Sequence, residues 1–137
     1  EAINGKGIFA FEFFLQPNGN LLLNESAPRP HNSGHYTIEG CITSQFENHV
    51  RAVTGLPLGS AELRAPAVAM INLLGSDRRD ARVDSSTDAL KESDGHLHVY
   101  GKIDSKPGRK MAHYTLLGDN MELTYQNAQK LTREIRI

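Results

Sequence analysis

The sequence predicts a mixed α+β fold that is built on antiparallel hairpins. An Asn-Gly pair at 18–19 lies between two apolar runs, which is a strong short-range signal for a β-hairpin. The segment 43–54 spaces its apolar residues as a helix does, whereas 95–102 alternates polar and apolar residues as a strand does. Because strands and helices do not alternate regularly along the chain, a succession of βαβ units is not predicted.

The hairpin is the first predicted element and spans about 7–25. With the Asn-Gly pair at the centre of a type I′ turn, Glu12 lies directly opposite Glu25. The Cβ atoms of opposed residues are about 4.5–5.5 Å apart, so the two carboxylates repel each other unless something compensates. A shared proton, a bound cation, an ion pair between Glu25 and Arg29, or plain solvation would each account for this pair.

A polar loop follows the hairpin and runs to about residue 35. Its two prolines stiffen it, and its other side chains include several hydrogen-bond donors that suit an anionic ligand. These donors are Arg29, His31, Asn32 and His35. A stiff polar loop beside a carboxylate pair predicts a binding or catalytic site, with an ordinary surface loop as the alternative.

The remaining elements follow from spacing and from end signals. A short extended piece is predicted over 36–42, and the helix of 43–54 has Thr43 or Ser44 as its cap and Gly55 beyond its end. The later strands are predicted at 67–74, 95–102 and 111–117. The closing helix is predicted at 121–136, with one stripe that holds Leu123, Asn127, Lys130 and Leu131.

Composition excludes several classes of protein. The chain has 137 residues, of which 39% are apolar and 23% charged, as in an ordinary globular protein. A formal net charge of −1 provides no global field for nucleic acid or a membrane surface, and no apolar run is long enough to span a bilayer. The single cysteine, Cys41, cannot form an internal disulfide, which indicates a reducing, cytoplasmic environment. We interpret its side chain as a small buried hydrophobe.

A second group of cations lies near the C-terminus, in a turn that contains Gly and Pro. Four cations within nine residues suit a phosphate monoester, with a solvated charged turn as the alternative. They are Lys102, Lys106, Arg109 and Lys110. The arginines of an earlier loop are mixed with aspartates and are interpreted as solvated; they are Arg78, Arg79 and Arg82.

Several motifs together resemble one known family. Residues 24–35 read Asn-Glu-Ser-Ala-Pro-Arg-Pro-His-Asn-Ser-Gly-His and follow GIFAFEFFL at 7–15. This stretch closely resembles the ATP-grasp family of 5-(carboxyamino)imidazole ribonucleotide synthases, in which the position of Ser26 is usually Ile. The resemblance covers nearly the whole chain, since it continues through TSQFE at 43–47, LPLG at 56–59, MINLLG at 70–75, HLHVYGK at 96–102 and PGRKMAH at 107–113.

The resemblance implies a fold and a reaction. Residues 1–62 would be the C-terminal part of an ATP-grasp domain, an antiparallel sheet with flanking helices, and residues 63–137 a small β-rich C-terminal lobe. The chain would be the C-terminal portion of a longer enzyme, since it has no Gly-rich phosphate loop. That enzyme would use ATP and Mg²⁺ to carboxylate 5-aminoimidazole ribonucleotide with bicarbonate, through carboxyphosphate, in purine biosynthesis.

The resemblance also implies roles for individual residues. Glu12 and Glu25 would hold Mg²⁺ against the ATP phosphates, and Asn24 would assist Glu25 at the nucleotide. Strict alternation along the strand points Asn24 away from Glu25, so strand twist is expected to bring it round. Arg29 and His31 would act in catalysis and contact the substrate. The other substrate-binding residues would be Asn32, His35, Lys102, Arg109 and Lys110, of which the three cations would hold the substrate phosphate.

Two other interpretations stay open at this point. One is a non-catalytic module that binds a phosphorylated ribonucleotide, and the other is part of a different ATP-grasp carboxylate–amine ligase, which would share the pair of Glu12 and Glu25. The motifs at 27–35 and 107–113 together favour the carboxylating enzyme over that ligase. For the full-length enzyme a homodimer is expected, and no fused mutase domain is present in this chain.

Overall fold

The computed structural model describes residues 4–76, 79–80, 83, 87–133 and 135–137. The chain divides into two compact units, Glu1–Glu62 and Leu63–Ile137. The first unit holds a β-hairpin and two helices, and the second holds antiparallel strands and two further helices. This combination of helices and antiparallel sheets confirms the predicted α+β class. Arg78 and Arg82 lie outside the described residues, as does the side chain of Arg79.

The first unit begins with the hairpin, whose strands are β1 (Ala10–Leu15) and β2 (Leu21–Ala27). Its turn is not the predicted type I′ turn. The N–H of Gly19 donates to the carbonyl of Gln16 (2.9 Å), and Gly19 alone among the turn residues takes a positive φ (84°). A type I′ turn needs two positive φ angles, whereas Pro17 favours a type I turn that is followed by one glycine with positive φ.

A β-bulge restores the predicted pairing of the carboxylates. On the turn side Phe13 pairs with Leu23, so the register there is one residue out of step with a type I′ hairpin. The register shifts between Phe13 and Glu12, and Glu12 pairs with Glu25, which leaves Asn24 as the extra residue. The opposition of Glu12 and Glu25 is therefore confirmed, and the bulge, rather than strand twist, breaks the alternation at Asn24.

Helix α1 (Thr37–Gly40) shows that the extended piece predicted over 36–42 is wrong. A single 3-10 turn, Asn32–Gly34, precedes this helix. The hydroxyl of Thr37 donates to the carbonyl of Gly34 (2.6 Å), which ties the start of the helix to the turn before it. The hydrogen bond of the Thr37 side chain thus stabilises two successive helical turns. The strand and helix preferences of the local sequence do not predict this contact.

Helix α2 (Gln45–Thr54) confirms the predicted amphipathic helix. Ser44 Oγ accepts a hydrogen bond from the N–H of Glu47 (3.1 Å), and Gly55 follows the helix with a φ of 75°. Arg51 and Glu47 form an ion pair across one turn (2.6 Å). The helix therefore begins and ends where its capping residues predict.

Removing the Ser44 cap should destabilise the first unit. In Ser44→Ala the N–H of Glu47 loses its side-chain acceptor, so we expect the free energy of unfolding to fall by about 1 kcal/mol. Ser44→Asp keeps an acceptor and adds a charge that a helix N-terminus favours, so its stability should equal or exceed that of the unmodified chain. Urea titration measures both differences, and equal losses in the two variants would contradict a capping role.

The second unit contains a three-stranded antiparallel sheet and a separate pair of two-residue strands. The sheet has the order β3 (Ala67–Leu74), β7 (Lys110–Gly118), β5 (Gly95–Val99), and the short strands are β4 (Arg79–Asp80) and β6 (Asp104–Ser105). Its helices are α3 (Thr87–Lys91) and α4 (Met121–Thr132). The three later strands are thus confirmed, although the strand predicted at 95–102 ends earlier.

The core of the second unit is organised around the central strand β7. Tyr114 is fully buried there, and its hydroxyl donates to the carbonyl of Ala89 in α3 (3.0 Å). Burial and the nearby Glu92 charge raise the pKa of Tyr114 to about 12. The phenol therefore remains protonated, and it keeps this hydrogen bond throughout the physiological pH range.

Helix α4 buries only part of the predicted stripe, since Leu131 packs against the core whereas Asn127 and Lys130 are exposed. Its buried residues include Thr124 and Ala128, whereas Leu123, which the predicted stripe contains, is 60% exposed. Small side chains let the helix approach the sheet closely, since a Cβ at Gly118 of β7 would lie 2.3 Å from Thr124 Oγ1. This helix is the longest in the described part of the chain, and neither it nor the others there are long and apolar enough to cross a membrane.

Candidate functional site

The imidazole of His31 lies between the two opposed carboxylates. Its Nδ1 is 3.4 Å from Glu12 Oε1, and its Nε2 is 3.6 Å from Glu25 Oε1. The ring is mostly buried, with 11% of the side chain exposed, whereas the side chains of Glu12 and Glu25 are 37% and 53% exposed. Two acids and one base therefore form a compact group on the hairpin and the loop that follows it.

Ser33 and Glu12 both contact Nδ1 of the His31 ring. The backbone N–H of Ser33 donates to His31 Nδ1 (3.4 Å), and Ser33 Oγ lies 2.9 Å from the same nitrogen. A ring nitrogen that accepts a hydrogen bond carries no proton, so the bond from Ser33 favours the neutral ring with its proton on Nε2, whereas the Glu12 carboxylate favours a proton on Nδ1. An N–H at Nε2 is on the side of the ring that faces Glu25.

Gln45, the first residue of α2, holds the backbone of His31. Its Oε1 accepts from the N–H of His31 (3.0 Å), and its Nε2 donates to the carbonyl of His31 (2.8 Å). Nothing in the spacing of the sequence predicts this role. The only local signal is a polar side chain directly after the helix cap, and the contact joins residues that are far apart along the chain.

Asn24 and Arg29 lie on either side of Glu25 in the chain, and both are exposed. Asn24 is the bulged residue of β2, so it and Glu25 together oppose Glu12. Asn24 and Glu25, the two residues predicted to contact the nucleotide, therefore both lie opposite Glu12 on the partner strand. Arg29 donates through Nη1 to the carbonyl of Pro30 (3.1 Å), which uses one of the five donors of its guanidinium.

Asn32 and His35 are placed by the 3-10 turn. The N–H of His35 donates to the carbonyl of Asn32 (3.0 Å). His35 Nδ1 lies 2.9 Å from Gln45 Nε2, and its ring centroid is 5.4 Å from that of Phe46. His35 therefore contacts helix α2, so it supports the loop in addition to its predicted part in binding.

The four cations Lys102, Lys106, Arg109 and Lys110 lie in the second unit, on the segment that leads from β5 into β7, which we call the basic turn. Lys102 Nζ donates to the carbonyl of Lys110 and is 5.6 Å from the centroid of the Tyr100 ring. Arg109 Nη1 donates to the carbonyl of Asp104 (3.0 Å). Burial, and then the charges of Arg109 and Lys110, lower the pKa of the Lys102 ammonium. The three predicted cations are thus close enough to repel one another, and an anion among them would relieve that repulsion.

Glu12 and Glu25 supply the hard oxygen ligands that Mg²⁺ prefers. Within the part of the chain that the structure describes, no three His, Cys, Asp or Glu side chains are arranged to hold a metal ion by themselves. Two partly exposed carboxylates on neighbouring strands instead suit an ion that takes its other ligands from phosphates and water. Cys41 is not a further ligand, because it is 2% exposed and burial raises the pKa of its thiol.

Two families of known domains match consecutive parts of the chain. The ATP-grasp domain family matches residues 1–46, which include the hairpin, both carboxylates and the loop. The family of phosphoribosylaminoimidazole carboxylase C-terminal domains matches residues 68–127, which include the basic turn. Each group of candidate site residues therefore lies within a matched domain.

Curated relatives match most of the chain. It is 50% identical over 117 residues to N5-carboxyaminoimidazole ribonucleotide synthase of Bacillus subtilis, which covers 85% of this chain and 30% of the relative. It is 48% identical over 121 residues to phosphoribosylaminoimidazole carboxylase of Ogataea methanolica, which covers 85% of this chain and 22% of that relative. The chain thus spans less than a third of the length of these two relatives.

Solved structures of such enzymes share the fold. N5-carboxyaminoimidazole ribonucleotide synthetase from Thermotoga maritima has a TM-score of 0.89 at 45% identity, over 98% of this chain and 38% of that chain. N5-carboxyaminoimidazole synthase from Aspergillus clavatus, in complex with ADP and 5-aminoimidazole ribonucleotide, has a TM-score of 0.80 at 41% identity, over 93% of this chain and 34% of that chain. Since the domain families, the curated relatives and the solved structures agree, the chain belongs to the family of N5-carboxyaminoimidazole ribonucleotide synthases.

Proposed function

We propose that this chain is the C-terminal part of an ATP-dependent ligase that carboxylates 5-aminoimidazole ribonucleotide with bicarbonate. One observation carries the proposal: the His31 imidazole lies between Glu12 and Glu25, in a chain that is 50% identical to a relative with the name of this enzyme. Phosphoryl transfer between anions depends mainly on positioning and on charge neutralisation. A carboxylate pair for a cation, next to a fixed imidazole donor, suits that requirement.

The proposed reaction has two steps. A bicarbonate oxygen first attacks the γ-phosphorus of ATP, which forms carboxyphosphate and releases ADP. The exocyclic amine of the ribonucleotide then attacks the carboxyl carbon, or CO₂ released from carboxyphosphate. The C–N bond forms, the C–O bond to phosphate breaks, and inorganic phosphate and an amine proton leave. The Arg29 guanidinium and the Nε2–H of His31 are the donors that stabilise the anionic carboxyl and phosphate oxygens.

Glu12 and Glu25 would hold Mg²⁺, which when bound neutralises charge on the ATP phosphates. Asn24 assists at the nucleotide, and the bulge supports this role because it places Asn24 with Glu25 opposite Glu12. Asn32 and His35 bind the ribonucleotide next to these residues in the chain. In this proposal the carboxylates hold Mg²⁺ at the ATP phosphates, and the loop binds the ribonucleotide that is carboxylated.

Lys102, Arg109 and Lys110 bind the ribonucleotide phosphate in this proposal. The match of residues 68–127 to the phosphoribosylaminoimidazole carboxylase C-terminal domain supports a substrate-binding role for the turn. An arginine binds a phosphate through two parallel hydrogen bonds, and lysines add point charges. Burial, and then the charges of Arg109 and Lys110, lower the pKa of the Lys102 ammonium, so a bound phosphate would be favoured by offsetting the repulsion between these cations.

A homodimer and a cytoplasmic location stay predictions. The buried, free thiol of Cys41 is consistent with a reducing compartment. The name of a relative from Vigna aconitifolia places that protein in the chloroplast. The compartment of each member of the family therefore has to be measured.

A chimera tests the proposed activity. This chain replaces the matching 30% of the Bacillus subtilis relative, and ADP formation is followed with 5-aminoimidazole ribonucleotide and bicarbonate added singly and together. We expect ADP formation that requires both. ADP formation with a different amine alone would indicate another ATP-grasp ligase, and ribonucleotide binding without turnover would favour a non-catalytic module.

In the same chimera Arg109→Ala should raise the KM for the ribonucleotide and change kcat much less. A hydrogen bond to a charged group contributes about 1.5–3 kcal/mol, so the expected rise is roughly 10- to 100-fold. Lys106→Ala is the matched control, because Lys106 belongs to the same group of four cations but is not one of the three proposed to bind the phosphate, and the KM of this variant should stay within about twofold. Equal effects of the two variants would mean that the turn acts only through its net charge.

A further inference from the structure

One side chain uses all of its hydrogen-bonding groups on the candidate site. Gln45 is 8% exposed, and its Oε1 and Nε2 bind the N–H and the carbonyl of His31. Its Nε2 also lies 2.9 Å from His35 Nδ1. Both backbone groups of His31 are thus bound by a side chain from another element, and the same amide reaches the second histidine of the loop.

Gln45 is itself held in place. Its backbone N–H donates to Thr37 Oγ1 (2.9 Å), and the Thr37 hydroxyl donates to the carbonyl of Gly34 (2.6 Å). A Cβ at Gly34 would lie 2.5 Å from Gln45 Oε1, so only glycine lets the turn approach the amide this closely. As the first residue of α2, Gln45 is also fixed by the helix that Ser44 caps. The backbone of Gln45 is therefore held by hydrogen bonds, and its side-chain amide is closely packed against Gly34.

We propose that Gln45 is the positioning residue that holds the His31 imidazole between the carboxylates and keeps the proton of neutral His35 on Nε2. The inference rests on the proposed function for the catalytic use of His31. The amide nitrogen of Gln45 is only a donor, so His35 Nδ1 accepts from it and the ring proton is on Nε2. A displaced His31 backbone would carry the ring away from Glu12 and Glu25, which are 3.4 and 3.6 Å from its nitrogens.

The test uses the 137-residue chain, labelled with ¹⁵N, and reads amide exchange and histidine ring nitrogens by NMR. In Gln45→Ala the N–H of His31 should exchange at least about tenfold faster, and the ring signals of His31 should shift. In Gln45→Glu a carboxylate still accepts from the N–H of His31 but can no longer donate. His35 Nδ1 should then gain a proton, which a merely structural role of position 45 would not produce.

Asn48 provides a matched control on the same helix. It is 9% exposed, and it binds the backbone of Gly59 as Gln45 binds that of His31, with a bond from the N–H (2.8 Å) and a bond to the carbonyl (3.3 Å). Asn48→Ala should therefore loosen α2 comparably and leave the signals of His31 and His35 unchanged. Equal shifts in Asn48→Ala, or unchanged signals in both Gln45 variants, would overturn the inference. Since these readouts need no turnover, that failure is distinct from an inactive chimera.

Discussion

Glu25→Gln, placed in the chimera with the Bacillus subtilis relative, is expected to lower the rate of ADP formation by about 10²-fold or more. The amide keeps the shape of the side chain but lacks the charge that would hold Mg²⁺ and face the His31 imidazole. Loss of one preorganised group at a site of developing charge lowers kcat by about 10²–10³. The measurement is ADP formation with saturating substrates over a range of Mg²⁺ concentrations, and the Mg²⁺ requirement should rise.

Stability separates this loss from unfolding. Glu12 and Glu25 are directly opposed, and like charges across two strands are destabilising, so the free energy of unfolding of Glu25→Gln should not fall. Glu47→Gln is the matched control, because it removes an exposed carboxylate that pairs with Arg51 on α2, and it should keep full turnover. Full activity of Glu25→Gln at low Mg²⁺ would contradict a metal-binding role.

Gly95→Ala is expected to destabilise the second unit by about 3 kcal/mol. A Cβ at Gly95 would lie 1.8 Å from Tyr114 Oη and 2.7 Å from its Cζ. Tyr114 is fully buried, so it cannot move aside without losing its bond to the carbonyl of Ala89. Overpacking costs about 1–3 kcal/mol, and the disturbed hydrogen bond adds to that loss. Urea unfolding of the two proteins measures the difference.

Tyr114→Phe tests whether the phenol oxygen is the cause. Alone, it removes a buried hydrogen bond and should cost about 1 kcal/mol. Combined with Gly95→Ala it also removes the closest contact of the new methyl group, so the double variant should lose less stability than the two single losses added together. Strictly additive losses would show that the added methyl group is accommodated without touching Tyr114.

The hairpin shows which features local sequence predicts. The Asn-Gly pair correctly predicts two antiparallel strands with Glu12 opposite Glu25. It does not predict the turn type, because Pro17 at the first corner favours a type I turn and leaves the positive φ to Gly19 alone. The bulge at Asn24 then offsets the shift of register. The pairing is therefore predicted correctly although the turn is not.

The remaining differences have a common physical cause. Helix α2 is predictable because its signals, the Ser44 cap and the glycine after its end, are local. Helix α1 and the position of His31 are not, since they depend on contacts of Thr37 and Gln45 with residues in other turns. The face that α4 buries likewise depends on the close approach of the helix to Gly118. The spacing of apolar residues in the sequence does not predict that approach.

The bulge at Asn24 separates the pairing of Glu12 with Glu25 from the register of the strands next to the turn. A shift of that register would therefore leave the carboxylate pair unchanged. A slip by one residue towards a two-residue turn would pair Phe13 with Asn24 and erase the bulge. That slip would exchange the faces of the leucines at 21–23, which are 50–63% exposed, so it would lose little of the burial that this chain itself provides. Glu12 faces Glu25 in both registers. The tip can therefore change its alignment while the charged pair stays in place, and only Asn24 would leave the site.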